Sequence, residues 1–274
     1  MSTMDLPVIV GVDGSEAGLA AADWAAREAL LRDRTLRILH ARPLMPHLLP
    51  DPGVPARSGT ELLHRTRHLL AVRHPHLRTR AEEVYDIVTS MLVAAGEDAE
   101  LLVLGARGSG GFQELRVGST ALHVAARAGC PTVVLPADPP GPQPRDLVVV
   151  GVDARRPAEA ALAFAFDSAD RYGLPLRVLH AAAVPPTGPA GRDGDAETAL
   201  LAGVLKTWRS AHPEVEVVED AEYAAPAGAL VEASAKARLL VLGRRPAARV
   251  GALGPVAHAV LHHADCPVAI VPGD

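Results

Sequence analysis

The chain has 274 residues, 49% of them hydrophobic and 3% aromatic, with a formal net charge of −5. That length allows one or two domains with a sizeable buried core. A net acidic chain with few aromatic rings argues against non-specific nucleic-acid binding, which needs a basic stripe and stacking platforms.

Taken in chain order, the elements alternate. Val8 to Val12 is a continuous apolar run, the pattern of a strand buried on both faces. Ala17 to Leu31 reads as an amphipathic helix, with Ala21, Trp24, Ala25, Glu28 and Leu31 at helical spacing. Leu36 to His40 is a second strand, and the Pro-rich segment from Arg42 to Thr60 reads as a long loop. Glu61 to Val72 predicts a helix, Thr79 to Val84 a short strand and Tyr85 to Ala95 a third helix. Leu101 to Leu104 is a buried strand. A glycine-rich loop follows, then a helix over Ser119 to Ala128, with Gly129 placed to end it. Thr132 to Leu135 is the last strand of the set.

The same set then repeats. PVIVGVDGSEAGLAAADWA from Pro7 matches LVVVGVDARRPAEAALAFA from Leu147, and Asp13 pairs with Asp153, 140 positions on. LRILHA ending at Ala41 pairs with LRVLHA ending at Ala181, and LLVLG ending at Gly105 with LLVLG ending at Gly243. CPTVVLP from Cys130 pairs with CPVAIVP from Cys266. The period is too long for a solenoid and predicts two homologous domains, at 1–138 and 145–274. The join is the Pro/Gly-rich ADPPGPQPRD. Strands alternating with helices imply parallel βαβ units and a doubly wound sheet, whose ligands sit beyond the carboxyl ends of the strands.

Cys130 and Cys266, with no CxxC, argue against a disulfide scaffold and for a reducing compartment. Their equivalent slots before a strand read as buried structural thiols. MSTMDLPVIV lacks the pattern of a signal peptide, and no uninterrupted apolar stretch of about 18 residues predicts a membrane span. The expectation is a cytoplasmic protein with neither nucleic acid nor membrane as partner.

Two loops at strand ends carry the chemistry. GARGSGGFQELRVGST, from Gly105, is neither a Walker A loop nor a dinucleotide GxGxxG. Its glycines let backbone N–H groups turn inward as a nest, and Gly118 and Ser119 open a helix whose first N–H groups lack partners. The Ser119 and Thr120 hydroxyls add donors, and Ser119 could also cap the helix. The first copy has no lysine, so these groups, with Arg107, would carry a phosphate, and a metal ion would share its charge. Asp13, a carboxylate, suits the base or ribose end of a nucleotide. The strand end at Ala41 can offer backbone groups to a purine edge.

VIVGVDGS, the following AxxWAAREA and LLVLGARGSGGFQELRVGSTALHVAARAGCPTVVLP together resemble the universal stress protein family, in its tandem two-domain form. The spacing Gly-x2-Gly-x9-Gly-[Ser/Thr] is that family's ATP-binding signature, and the first copy matches every specified position. The resemblance covers nearly the whole chain and is weakest over 43–80 and 185–210. It implies two Rossmann-like α/β domains of the adenine nucleotide alpha hydrolase type, each with a five-stranded parallel sheet flanked by helices. It also implies ATP, with Mg²⁺, held by Val12, Asp13, Ala41, Gly105, Arg107, Gly108, Gly118, Ser119 and Thr120. Members pair domains through the last strand, which implies a homodimer or a pseudo-dimer of the two domains through Thr132 to Leu135 and Val268 to Val271.

The second copy departs from the signature. Pro246 stands where Gly108 stood, the interval to Gly254 is two residues shorter, and Pro255 replaces Ser119. Proline removes a hydroxyl and a backbone N–H together, yet suits the first turn of a helix. The fold should survive and the phosphate cradle should not, with Asp153 a relic of the duplication. Arg244, Arg245 and Arg249 leave an anion held by side chains as the alternative. His64, His68, His74, His76 and His262–His263 read as solvated surface rather than metal ligands. Trp24 and Trp208 read as helix packing.

The expected function is an ATP-binding regulatory protein of the stress response, with nucleotide in domain 1 read by an unknown protein partner. The alternatives are a nucleotide-free interaction scaffold and a slow ATP hydrolase. No general base or lysine near the γ-phosphate position points to dedicated catalysis.

Overall fold

The computed structural model describes residues 6–42, 59–108, 116–137, 144–182, 193–244 and 252–273. Most of the predicted Arg42–Thr60 loop, the tip of the glycine-rich loop at 109–115 and Pro246 fall outside the described residues. The chain divides into two compact units, Met1–Ala137 and Asp138–Asp274.

The first unit runs β1 (Val8–Gly11), α1 (Glu16–Leu31), β2 (Leu36–Arg42), α2 (Gly59–Arg73), β3 (Thr79–Tyr85), α3 (Val88–Ala95), β4 (Leu101–Gly105), α4 (Ser119–Arg127) and β5 (Thr132–Leu135). Its strands lie in the order β3-β2-β1-β4-β5, all parallel. Val10 sits between Ile38 of β2 and Val103 of β4. Val8, Ile9 and Val10 have no exposure, as the unbroken apolar run predicts. The chain leaves β1 towards β2 on one side and later returns to β4 on the other. That reversal opens a crevice at the carboxyl ends of β1 and β4.

Helix α1 packs on β1 and β4 through Ala21, Ala22, Ala25, Ala26 and Ala29, all fully buried. Small side chains let it approach the sheet closely. Its last turn buries an ion pair: Arg32 Nε donates to Glu28 Oε2 at 3.2 Å, and Arg32 also reaches Glu100 Oε1 at 3.2 Å. Glu100 N–H donates to the Pro7 carbonyl at 3.0 Å, so the cluster ties the end of α1 to the strand starts. Trp24 is buried in the same helix, as helix packing predicts.

Two expectations need correction. The third helix starts at Val88, not Tyr85, because Tyr85 still pairs with Arg42 at the end of β3. Asp86 then turns the chain, its Oδ1 accepting from Ile87 N–H at 2.6 Å. Gly129 does not end α4 in a left-handed turn: Ala128 exits at φ −55° and ψ 143°, and only Gly14 and Gly173 have positive φ among the described glycines. A Cβ at Gly129 would instead lie 3.0 Å from a Glu97 carboxylate oxygen.

The second unit runs β6 (Leu147–Gly151), α5 (Glu159–Tyr172), β7 (Leu176–Ala182), α6 (Asp193–Ala211), β8 (Val217–Tyr223), α7 (Pro226–Ser234), β9 (Ala237–Arg244), α8 (Pro255–His263) and β10 (Val268–Pro272). Its order, β10-β9-β6-β7-β8, again all parallel, is that of the first unit in equivalent strands. Trp208 of α6 stacks on Phe166 of α5 at 5.4 Å between ring centroids. Gly173 ends α5 at φ 61°. Gly173→Ala is expected to cost about 1 kcal/mol of stability, because an L side chain is strained there. Urea denaturation checks this, and an unchanged midpoint would refute it.

Cys130 and Cys266 are both buried, and burial pushes the Cys266 thiol up to about 12, which leaves it protonated and unreactive. Among the described residues no helix is long and apolar enough to cross a membrane.

Candidate functional site

In the first unit the chain leaves β1 under two restraints. Val12 N–H donates to the Leu39 carbonyl at 2.9 Å, and His40 Nδ1 donates to the Val12 carbonyl at 2.8 Å. Asp13 follows. Its Oδ1 accepts from Ser15 N–H at 3.0 Å and from Ser15 Oγ at 2.6 Å. Ser15 Oγ in turn accepts from Gly18 N–H at 3.0 Å and caps α1. The turn needs Gly14 at φ 86°. The Asp13 carboxylate is thus held by a local turn at the mouth of the crevice.

The loop after β4 runs against that carboxylate. A Cβ at Gly105 would lie 2.9 Å from the Ala17 backbone, and one at Gly108 would lie 2.6 Å from Asp13 Oδ2. The loop returns where Gly118 N–H donates to the Ala106 carbonyl at 2.7 Å. Gly118 is the cap residue of α4, at φ −77° and ψ 157°, with no side-chain cap bond. Ser119 therefore does not cap the helix, contrary to expectation. It is the first helical residue and exposed, and half-buried Thr120 is the second. The first N–H groups of α4 have no carbonyl within the helix to bond.

The predicted residues thus gather at one edge. Val12, Asp13, Gly105, Gly108 and Gly118 line it, Ser119 and Thr120 form its rim, and half-buried Arg107 sits between Gly105 and Gly108. Ala41 lies at the end of the neighbouring strand β2, opposite Val84. His40 carries no site signal in the sequence beyond the repetition of LHA at His180.

The glycines divide by cause. Gly105 and Gly108 are bare because protein atoms crowd them. Gly118 is different: its φ suits any residue, and its Cβ would meet the nearest atom, the Ala106 carbonyl oxygen, at an ordinary 3.4 Å.

The second unit keeps what packing requires. A Cβ at Gly243 would lie 2.5 Å from Ala158 Cβ, which accounts for that glycine without a ligand. At the helix start Gly254 is again the cap residue, but Pro255 is the first helical residue and has no N–H. Asp153 Oδ1 accepts from Arg155 N–H at 3.0 Å. Beside it lies a cluster that sequence did not reveal. His180 Nε2 donates to Glu197 Oε2 at 2.9 Å, while its Nδ1 lies 3.1 Å from the Val152 carbonyl and 3.4 Å from the Ala154 amide. Arg155 meets Glu197 with both terminal nitrogens, one at 2.8 Å. These groups stand in a cavity of about 870 Å³ at the carboxyl ends of β6, β7 and β9.

The hydrogen bond from Arg155 holds the Glu197 carboxyl below its ordinary value, against the opposing effect of burial and with help from His180. A depressed folded value contributes stability above the ordinary value of 4.5 that is lost as pH falls through the folded one. Glu197→Gln is therefore expected to lose less stability than the parent chain on acidification below that pH. Melting temperatures measured from pH 6 to pH 3 check this. Parallel curves would refute it.

Residues 6–136 and 145–272 each match the model of the universal stress protein family. The chain is 32% identical over 292 residues to a universal stress protein of Mycolicibacterium smegmatis, covering 98% of each. It shares its fold with a solved universal stress protein of Archaeoglobus fulgidus at a TM-score of 0.70 and 18% identity, covering 98% of this chain and 97% of that one. Another Archaeoglobus fulgidus universal stress protein, solved in complex with dAMP, is 25% identical over 46% of this chain, with a TM-score of 0.37.

Proposed function

The chain belongs to the universal stress protein family, and on that premise we propose that its first unit binds ATP as a regulatory ligand. One observation carries the reading: the bare backbone of Gly118, which no contact among the described residues requires, opens α4 directly before the Ser119 and Thr120 hydroxyls. Anions are stabilised at such a helix start by its N–H groups and dipole. Asp13 would take the ribose hydroxyls, and the backbone around Val12 and Ala41 would take the adenine edge. The phosphates would lie along Gly105, Arg107, Gly108 and Gly118.

Among the described residues no group of three or more His, Cys, Asp or Glu could hold a metal ion by itself. The donors at this edge suit Mg²⁺ only as a companion of the phosphates, with the Ser119 or Thr120 hydroxyl completing its oxygen shell. In this reading occupancy rather than turnover is the output. A partner protein reads the state of the first unit, and the protein self-associates in the cytoplasm.

Calorimetric titration of the full chain with ATP and Mg²⁺ is expected to show one site per chain. No binding at millimolar ATP would overturn the proposal. Denaturing natively purified protein and looking for released ATP or ADP is the independent check.

A further inference from the structure

We propose that the cavity of the second unit is itself a binding site, for an uncharged, ring-bearing small molecule with hydroxyl or amine donors and no phosphate. The proposal goes beyond the reading of the first unit, and only the double-variant arm of its test rests on that reading.

The cavity, about 870 Å³, is within the range of roughly 300–1,000 Å³ usual for small-molecule sites. Its lining is of two kinds. Asp153, His180 and Glu197 are the polar part. His180 is 2% exposed and Glu197 7% exposed, so this is a built polar group rather than surface decoration. Glu197 is held by Arg155 and His180, so the Asp153 carboxylate is the acceptor for a ligand's hydroxyl or amine. Leu230, Leu242, Leu253 and Val256 are the apolar part, which suits a flat apolar ring.

Phosphate finds little there. Two carboxylates, Asp153 and Glu197, and two guanidiniums, Arg155 and Arg244, line the cavity, so these four carry no net charge. Arg155 is already committed to Glu197 through both terminal nitrogens. The opening of α8 offers Pro255, without an N–H, and Val256, without a hydroxyl. The corresponding positions of the first unit are Ser119 and Thr120. The end of the crevice that would take phosphates has become apolar.

Hydrogen-exchange mass spectrometry on the full chain tests this, with adenosine as the uncharged probe and Mg²⁺-ATP as the charged one. Saturating adenosine is expected to slow exchange about tenfold in peptides covering 196–205 of α6 and 253–261 of α8. ATP should leave those peptides unchanged. Peptides covering 13–22 and 116–124 report the first unit separately, so failure there and failure here are distinguishable. Val256→Trp, at a half-buried lining position, should fill the cavity and abolish the protection by adenosine. The double variant Pro255→Ser, Val256→Thr restores residues that the first unit already carries at its helix start, and ATP should then protect α8. The proposal is overturned if adenosine leaves both second-unit peptides unchanged, or if ATP protects them as strongly as adenosine does. It is also overturned if Val256→Trp keeps the protection, or if the double variant gains none from ATP while ATP protects the 116–124 peptide.

Discussion

Gly118→Glu is expected to weaken ATP binding by about 100-fold or more, roughly 2.7 kcal/mol, without unfolding the chain. The backbone at Gly118 is at φ −77° and ψ 157°, which any residue adopts, and a Cβ there has ordinary clearance of 3.4 Å. The fold therefore has no objection to a side chain. A ligand does. One carboxylate about 5 Å from one phosphate charge costs about 3 kcal/mol at an effective dielectric near 20. It also blocks the helix start sterically. Gly254→Glu, at the same place in the second unit, is the control. Among the described residues nothing lies within 4 Å of its Cβ, and ATP affinity should not change. Calorimetric titration beside a melting curve separates lost binding from lost structure. Full affinity in Gly118→Glu would remove the main support for a phosphate at α4.

The second large effect is on stability. The Arg32 and Glu28 side chains are 4% and 3% exposed, and Arg32 bridges from Glu28 to Glu100. Arg32→Ala leaves Glu28 charged and buried without this partner, and is expected to cost about 3–5 kcal/mol. Replacing both members by apolar residues of similar size, Arg32→Met with Glu28→Leu, should recover most of that loss. The pair is then a condition the core must meet rather than a source of stability. Denaturant unfolding of the single and double variants checks the argument. A single variant within about 1 kcal/mol of the parent would contradict it.

Much of this molecule was legible in its residues. The apolar runs at Val8 and Leu101 predicted strands buried on both faces, and both are. The duplicated LHA and LLVLG segments predicted two like units, and the strand orders agree. The helix bound at Tyr85 fell three residues early because local pattern does not fix where a strand stops, whereas β2 offered Tyr85 a strand partner in Arg42. Gly129 misled because glycine near a helix end suggests a left-handed turn, whereas the chain leaves α4 at Ala128 in an extended conformation and Gly129 lies beside the Glu97 carboxylate. Glu197 stayed hidden because it lies in the stretch where the two copies diverge most, and its partners His180 and Arg155 come from elsewhere in the chain.

The opening glycines divide what sequence and structure each decide. Sequence alone determined the duplication, the alternation of strand and helix, and the replacement of Ser119 by Pro255 in the second copy. All of these rest on local periodicity and residue identity. It could not tell why each glycine is glycine. Gly105 answers to Ala17 and Gly108 to Asp13, each some 90 residues away in the chain, while Gly118 meets only the Ala106 carbonyl among the described residues, at an ordinary 3.4 Å. Only the tertiary structure decides that, because a missing side chain is explained by the atoms that would meet it. Those atoms become neighbours only when α1 has packed across β1 and β4.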